Sequence, residues 1–377
     1  MNPPSTIDPF ILTPVVRNAT RIHNLELLDW QIQPLQGGFG DLGAGLVGIY
    51  RLSGQAHAQE QDVPWSLVLK STPSADSEDA FAYLNREWHA YQSGYLQALT
   101  ADLSAPHCYG TTESGQMRQI WMEDLGSETS QSWTLDSFAL TARVFGGWNG
   151  RSLRTGGVPD FPWFCRSAAR EWHLQAAPEI QALRTHPDHP LIHRLYPQDH
   201  AAAVLQLWDD RSLFLDALAR LPQAVCHNDA FRRNLFIKSP HAGHGQVVAL
   251  DWAYLGWGAL GEEVAAMVAG NLLFDEIPLA DIDVYAAAIY DAYLTGLQAS
   301  GWVGDPRLMR LGFTAAAAMK YVFPFLLHQL ITADDPTWFV ELFGLDDADT
   351  LRATLEKRRL ILALADEART LINQLSP

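Results

Sequence analysis

Two carboxylates and an amide constrain this chain more than any other feature. Within Cys226-His227-Asn228-Asp229-Ala230-Phe231-Arg232-Arg233-Asn234, Asp229 and Asn234 stand five residues apart, and Asp251 follows 22 residues after Asp229. Asp251 closes the apolar, strand-like run Val247-Val248-Ala249-Leu250. A short loop can aim Asp229 at an acceptor hydroxyl and Asn234 at a magnesium ion, with Asp251 as a further hard oxygen ligand, which is the equipment of phosphoryl transfer. The His-x-Asp-x-x-x-x-Asn spacing is weakly specific by itself. The apolar run and Asp251 make it specific.

The elements around this segment predict an α+β fold. Strand signals at 30–35, 46–52, 65–70, 105–111 and 117–122 surround one helix over 77–99, where Phe81, Leu84, Trp88, Tyr91 and Tyr95 recur at helical spacing. Helical patterns then dominate at 134–148, 162–176, 200–220, 261–274, 281–300, 305–331 and 347–375, interrupted by a hairpin-like pair around 225–251. Residues 151–162 and 186–200 read as loops. The expectation is a strand-rich, nucleotide-binding part over 1–125 and a helical, catalytic and acceptor-binding part over 126–377.

With 48% hydrophobic and 18% charged residues the chain reads as globular, and its formal charge of −17 argues against a nucleic-acid partner. Three cysteines with no Cys-x-x-Cys spacing fit a reducing compartment. No basic-then-apolar leader opens the sequence, and no uninterrupted apolar run reaches the roughly 18 residues of a membrane span. A soluble, cytoplasmic protein is expected.

Gly37, Gly38 and Gly40 belong to a glycine-rich segment followed by a β-type run, which suits a strand-loop-strand flap over phosphates better than a dinucleotide site, where a helix must follow. A second Gly-x-Gly-x-x-Gly at 256, 258 and 261 does follow a strand and precede a helix, and so keeps an NAD(P)-dependent oxidoreductase as an alternative. Against that, residues 262–300 read as helical where a dinucleotide fold needs a returning strand. Lys70 ends an apolar strand, and Glu87 lies 17 residues on in the expected helix, a separation that permits them to pair and the lysine to grip phosphates. Residues 119–125, Met122 and Glu123 among them, connect the two parts and can offer backbone groups to an adenine edge. Trp148, Asp160, Arg232 and Glu263 are candidate acceptor contacts, and Glu171, Glu262, Asp275 and Glu276 are further acids that could hold an amine. Five histidines between 173 and 200 suggest a metal cluster by count, but prolines at 187, 190 and 197 break their spacing.

With these residues placed, the chain resembles the aminoglycoside phosphotransferase and choline kinase group of small-molecule kinases over about residues 30–330. The resemblance rests on His227-Asn228-Asp229 through Asn234, on Asp251-Trp252 and on the run from Gly256 to Glu263. It implies a bilobal, protein-kinase-like fold, with ATP and Mg2+ as cofactors and a small aminoglycoside-, amino-sugar- or choline-like hydroxyl acceptor. It also implies Asp229 as catalytic carboxylate, Asn234 and Asp251 as magnesium ligands, and Lys70 with Glu87 as the phosphate-gripping pair. Asn228 stands where the group commonly has glycine, Phe231-Arg232-Arg233 replaces a more polar stretch, and the glycine-rich loop is longer than usual. A kinase-like nucleotide binder without catalysis is the other alternative.

Overall fold

Gln59 and Glu60 both adopt left-handed backbone, with φ of 50° and 66°, and so join β2 (Gly48–Ala58) to β3 (Gln61–Pro73) in a two-residue turn. A turn with two positive φ angles matches the right-handed twist of paired strands but is usually built from Asn and Gly. Gln-Glu gives no such signal. Hence β2 runs six residues beyond its expected end at residue 52. The computed structural model describes residues 7–35, 47–74, 83–126, 133–155, 160–241, 244–333 and 335–375.

The chain divides into two compact units, residues 1–132 with 246–253, and 133–245 with 254–377. The division falls a few residues beyond the expected 125 and counts Asp251 with the first unit. In that unit β1 (Glu26–Pro34), β2, β3, β5 (Cys108–Ser114) and β6 (Met117–Glu123) form an antiparallel sheet of order β1-β2-β3-β6-β5. Tyr50, Leu52, Trp65, Leu67 and Leu69 alternate inward from β2 and β3, as a half-buried sheet requires. Helix α1 (Pro9–Thr20), unforeseen in the sequence reading, covers this core with Leu12, Val15 and Val16. Its start is legible afterwards, because Asp8 caps the Phe10 N–H at 2.9 Å and Pro9 opens the first turn. Helix α2 (Tyr83–Gln92) ends before the expected 99, residues 77–82 of the expected helix lie outside the described residues, and a 3-10 turn (Tyr95–Ala98) follows Gly94 at φ 75°. Residues 103 and 104 of β4 (Leu103–Ser104) pair in parallel with Val247 and Val248.

The second unit is mainly helical: α3 (Leu135–Thr155), α4 (Ala168–Thr185), α5 (Pro190–Leu195), α6 (Gln198–Asp209), α7 (Arg211–Arg220), α8 (Glu262–Ala265), α9 (Asn271–Leu273), α10 (Ile282–Ala299), α11 (Pro306–Tyr321), α12 (Leu327–Thr332), α13 (Thr337–Leu342) and α14 (Ala348–Leu375). Strand β7 (Gln223–Cys226) is followed by β8 (Leu235–His241), β9 (His244–Ala249), whose later residues fall in the first unit, and β10 (Gly256–Ala259), antiparallel to β7. Three expected helices are broken. The one over 200–220 divides at Asp210, and the one over 305–331 divides where Leu326 takes φ 58° two residues after Pro324. The one over 261–274 widens into a π segment at Ala266–Gly270. Such π segments frequently sit at functional sites.

Candidate active site

Strand β7 leads into the Asp229 loop, and the second unit clamps that loop from several elements. Asn149 of α3 donates to the Val225 carbonyl at 2.7 Å and accepts from the Tyr293 hydroxyl of α10 at 2.6 Å. Glu263, fully buried, accepts the backbone N–H of His227 at 2.8 Å and of Asn228 at 2.9 Å. Buried Lys320 of α11 donates to the Asn228 carbonyl. The Asp229 N–H turns back onto His227 Nδ1 at 3.2 Å. Asn228 has φ 66°, the left-handed conformation that glycine adopts freely and asparagine tolerates best among the rest. Here the amide also donates to the Tyr254 carbonyl at 3.0 Å, so asparagine meets the same backbone demand as glycine and adds an anchor.

The loop brings Asp229 and Asn234 together. Asn234 Nδ2 donates to the Asp229 carbonyl at 3.0 Å and to Asp229 Oδ2 at 3.1 Å. Because the amide nitrogen faces the carboxylate, its oxygen is the atom left to act as a hard ligand.

In the first unit, Lys70 Nζ reaches Glu87 Oε2 at 2.5 Å and Asp251 Oδ1 at 2.9 Å. Burial alone would lower the lysine's pKa, but the charges of Asp251 and Glu87 outweigh it and hold the ammonium well above its usual range. Burial raises the Glu87 carboxyl, against the pull of Lys70 and with the added repulsion of Asp251. Asp251 has φ 56°, an uncommon backbone for aspartate that persists where the surroundings over-determine it. Its side chain keeps 43% of its surface exposed, whereas Glu87 keeps 2%. The expected pair is thus a triad, with one partly exposed carboxylate.

The other expected contacts fare unevenly. Gly37, Gly38 and Gly40 lie outside the described residues. Met122 and Glu123 sit inside the ladder, opposite Val68 and Leu67, and the Glu123 N–H is spent on the His107 carbonyl at 2.8 Å. It therefore cannot also meet an adenine edge. Glu263 is corrected from acceptor contact to loop anchor, since its two oxygens receive two backbone N–H groups. Trp148 is buried against Phe145 with ring centroids 6.0 Å apart, which makes it core rather than a stacking surface. Asp160 accepts from Trp257 Nε1 at 3.1 Å and pairs with Arg166. Arg232 lies over the Trp133 ring at 5.2 Å, and Arg233 pairs with Glu276 at 2.8 Å. The remaining acids are engaged too, Glu171 with Cys165, Glu262 with the Ala259 N–H and Asp275 with Lys357.

The second glycine motif is explained by packing. A Cβ on Gly256 would lie 2.2 Å from the Cys165 carbonyl, and Gly261 combines φ 92° with a Met309 carbonyl 2.1 Å from where its Cβ would be. These glycines permit close backbone approach, so they no longer speak for a dinucleotide. Among the described residues, no three His, Cys, Asp or Glu side chains gather to hold a metal ion by themselves. Sequence reasoning missed Asn149, Tyr293, Asn271 and Lys320, of which Asn271 accepts the Arg232 N–H at 2.7 Å. Buried polar residues on apolar helices were the signal available.

Glu263 also sets a pH dependence. Burial pushes its carboxyl up from 4.5 to about 7, against the opposing effects of the His227 N–H, Lys320 and the Asn228 N–H. Between pH 4.5 and about 7 the folded chain keeps a proton that the unfolded chain has lost, so this group's contribution to stability falls as pH rises. Glu263→Gln removes that slope. Urea unfolding should show the variant gaining on wild type from pH 4.5 to 8, by on the order of 3 kcal/mol at most. A pH-independent difference between the two would refute the assignment.

The Phosphotransferase enzyme family matches residues 147–303. No curated protein matches the sequence. Among solved structures, an amicoumacin kinase in complex with AMP-PNP, Ca2+ and Ami superposes with a TM-score of 0.53 at 13% identity, covering 95% of this chain and 94% of that one. An aminoglycoside phosphotransferase from Alicyclobacillus acidocaldarius gives 0.50 at 14% identity over 99% and 98% of the two chains. Choline kinase from Cryptosporidium parvum gives 0.51 at 12% identity over 97% of each. The chain thus has the α+β fold of aminoglycoside phosphotransferases and choline kinase, and over residues 147–303 it carries the signature of the phosphotransferase family.

Proposed function

We propose that this protein is an ATP-dependent small-molecule kinase that transfers the γ-phosphoryl group to a hydroxyl of a small polar acceptor. The observation that carries the reading is Asn234 bonded to Asp229 on a loop whose backbone is clamped by Glu263 and Lys320. Asp229 orients the acceptor hydroxyl and receives its proton. The acceptor oxygen forms the new bond to the γ-phosphorus, the β–γ bridging bond breaks, and its electron pair leaves with ADP. Lys70, held by Glu87, supplies a fixed positive charge for the phosphates. Asn234 and Asp251 suit Mg2+, being an amide oxygen and a partly exposed carboxylate, and the ion when bound would neutralise phosphate charge. Magnesium takes only one or two protein ligands beside phosphates and water, so a denser carboxylate cluster is not required. Most of the rate comes from positioning and charge neutralisation.

The proteins of similar fold are, by their names, an amicoumacin kinase, an aminoglycoside phosphotransferase and a choline kinase. In this chain Glu171, Glu262, Asp275 and Glu276, the acids that could have held an amine, each engage an internal partner, Asp275 while its side chain stays 77% exposed. No helix among the described residues is long and apolar enough to cross a membrane. A screen of hydroxyl compounds for stimulated ADP release, with Asp229→Ala protein as the blank, tests the reading. A parallel thermal-shift panel separates it from its rivals: ATP with Mg2+ should raise the melting temperature, and stabilisation by NAD+ instead would overturn it.

A further inference from the structure

The last residues of α11 reach the Asp229 loop with two polar groups of unequal fate. Lys320 bonds the Asn228 carbonyl. Tyr321, next to it and 8% exposed, has a buried hydroxyl with no hydrogen-bond partner among the described residues. Buried tyrosine hydroxyls normally find one, because an unmade bond leaves the desolvation of the group uncompensated. The neighbouring Tyr254 shows the usual arrangement, with its hydroxyl accepting from Gln175 Nε2 at 3.3 Å.

The position of the orphan is informative. A Cβ placed on Gly270 would lie 3.4 Å from the Tyr321 hydroxyl and 3.6 Å from Cβ of Phe231, two residues beyond Asp229. Gly270 ends the π segment, and Asn271 after it receives the Arg232 N–H at 2.7 Å. Trp172 of α4 packs on Tyr321 and Tyr254, with ring centroids 5.7 Å and 5.8 Å away, and its own Nε1 is likewise buried without a partner among the described residues. Burial first, and then the charge of Asp229, keep the Tyr321 hydroxyl protonated well above its ordinary range, so it is a donor.

We infer that the Tyr321 hydroxyl contacts the acceptor, donating a hydrogen bond to an oxygen of the hydroxyl compound whose reacting group faces Asp229, while Trp172 walls the same place. This rests on the kinase reading and deepens it. A reacting hydroxyl gives its proton to Asp229 and one lone pair to phosphorus. A second lone pair, or a neighbouring oxygen of the same molecule, is then open to a donor. Two unpartnered donors flanked by aromatic faces fit an oxygen-rich, ring-shaped or short polyol acceptor better than a quaternary ammonium compound.

Tyr321→Phe keeps the ring and deletes the donor. Wild type and variant are to be assayed for ADP release with D-glucosamine, myo-inositol and choline as probes, with ATP varied separately, and both melted without additives. The expected result is a fall of about tenfold or more in kcat/KM for the stimulating probe, with KM for ATP unmoved and the melting temperature equal to or above wild type. Unchanged kcat/KM for that probe overturns the inference, as does a lowered melting temperature, because a hydroxyl that matters only to the fold would destabilise on removal. If no probe stimulates wild type, the melting comparison still decides for or against Tyr321. Failure of ATP with Mg2+ to shift wild-type melting would instead sink the kinase reading itself.

Discussion

Asp229→Ala protein should bind ATP with Mg2+ as wild type does and turn over about a thousandfold more slowly. Positioned acid–base groups typically contribute between about 10² and 10⁴ in rate, and Asp229 is asked both to orient the hydroxyl and to take its proton. The loop should survive the change, because its anchors do not pass through the Asp229 carboxylate: Glu263 holds two N–H groups, Lys320 holds the Asn228 carbonyl, and Asn234 keeps its bond to the Asp229 carbonyl at 3.0 Å. Asp229→Asn should be nearly as slow, since an amide retains the shape but cannot accept the proton. Acceptor-dependent ADP release and calorimetric ATP binding check both. Turnover by Asp229→Ala within tenfold of wild type would remove the carboxylate from the mechanism.

Lys70→Met should cost both activity and stability. The substitution leaves Glu87, 2% exposed, as a buried carboxylate without its cation, a situation that destabilises by about 3–5 kcal/mol. A second change separates the two losses. In Lys70→Met/Glu87→Gln the buried charge is gone as well, so urea stability should recover most of the deficit while ATP-dependent turnover stays lost. Activity returning along with stability would show that the lysine only holds the fold.

Much of the proposed site was legible because the proposed phosphoryl-transfer chemistry restricts residue type and spacing. Asp229, Asn234, Lys70, Glu87 and Asp251 could be placed from the sequence, and the structure brings Asp229 to Asn234 in one unit and the other three together in the other. What escaped was held by long-range contacts that leave no local pattern. Glu263 read as a candidate acceptor contact, yet it is buried because two successive backbone N–H groups need an acceptor. The β2–β3 hairpin escaped because its positive-φ turn is made from Gln59 and Glu60. Helix α11 ended early because left-handed Leu326 and Pro324 interrupt a run that remains apolar on both sides, and periodicity alone does not register such a break. Trp148 misled in the opposite direction. Proximity to a loop in sequence suggested exposure, whereas its helix turns it inward.

The proposed chemistry requires the Asp251 carboxylate and the Asp229–Asn234 loop to serve one metal-bound nucleotide. Calorimetric titration of ATP into wild type and Asp251→Asn protein, each with and without Mg2+, addresses this directly. Wild type should bind ATP at least tenfold more tightly with Mg2+, and the variant should lose most of that gain while keeping its metal-free affinity. Equal affinity with and without Mg2+ in wild type, or a full magnesium gain in Asp251→Asn, would contradict it.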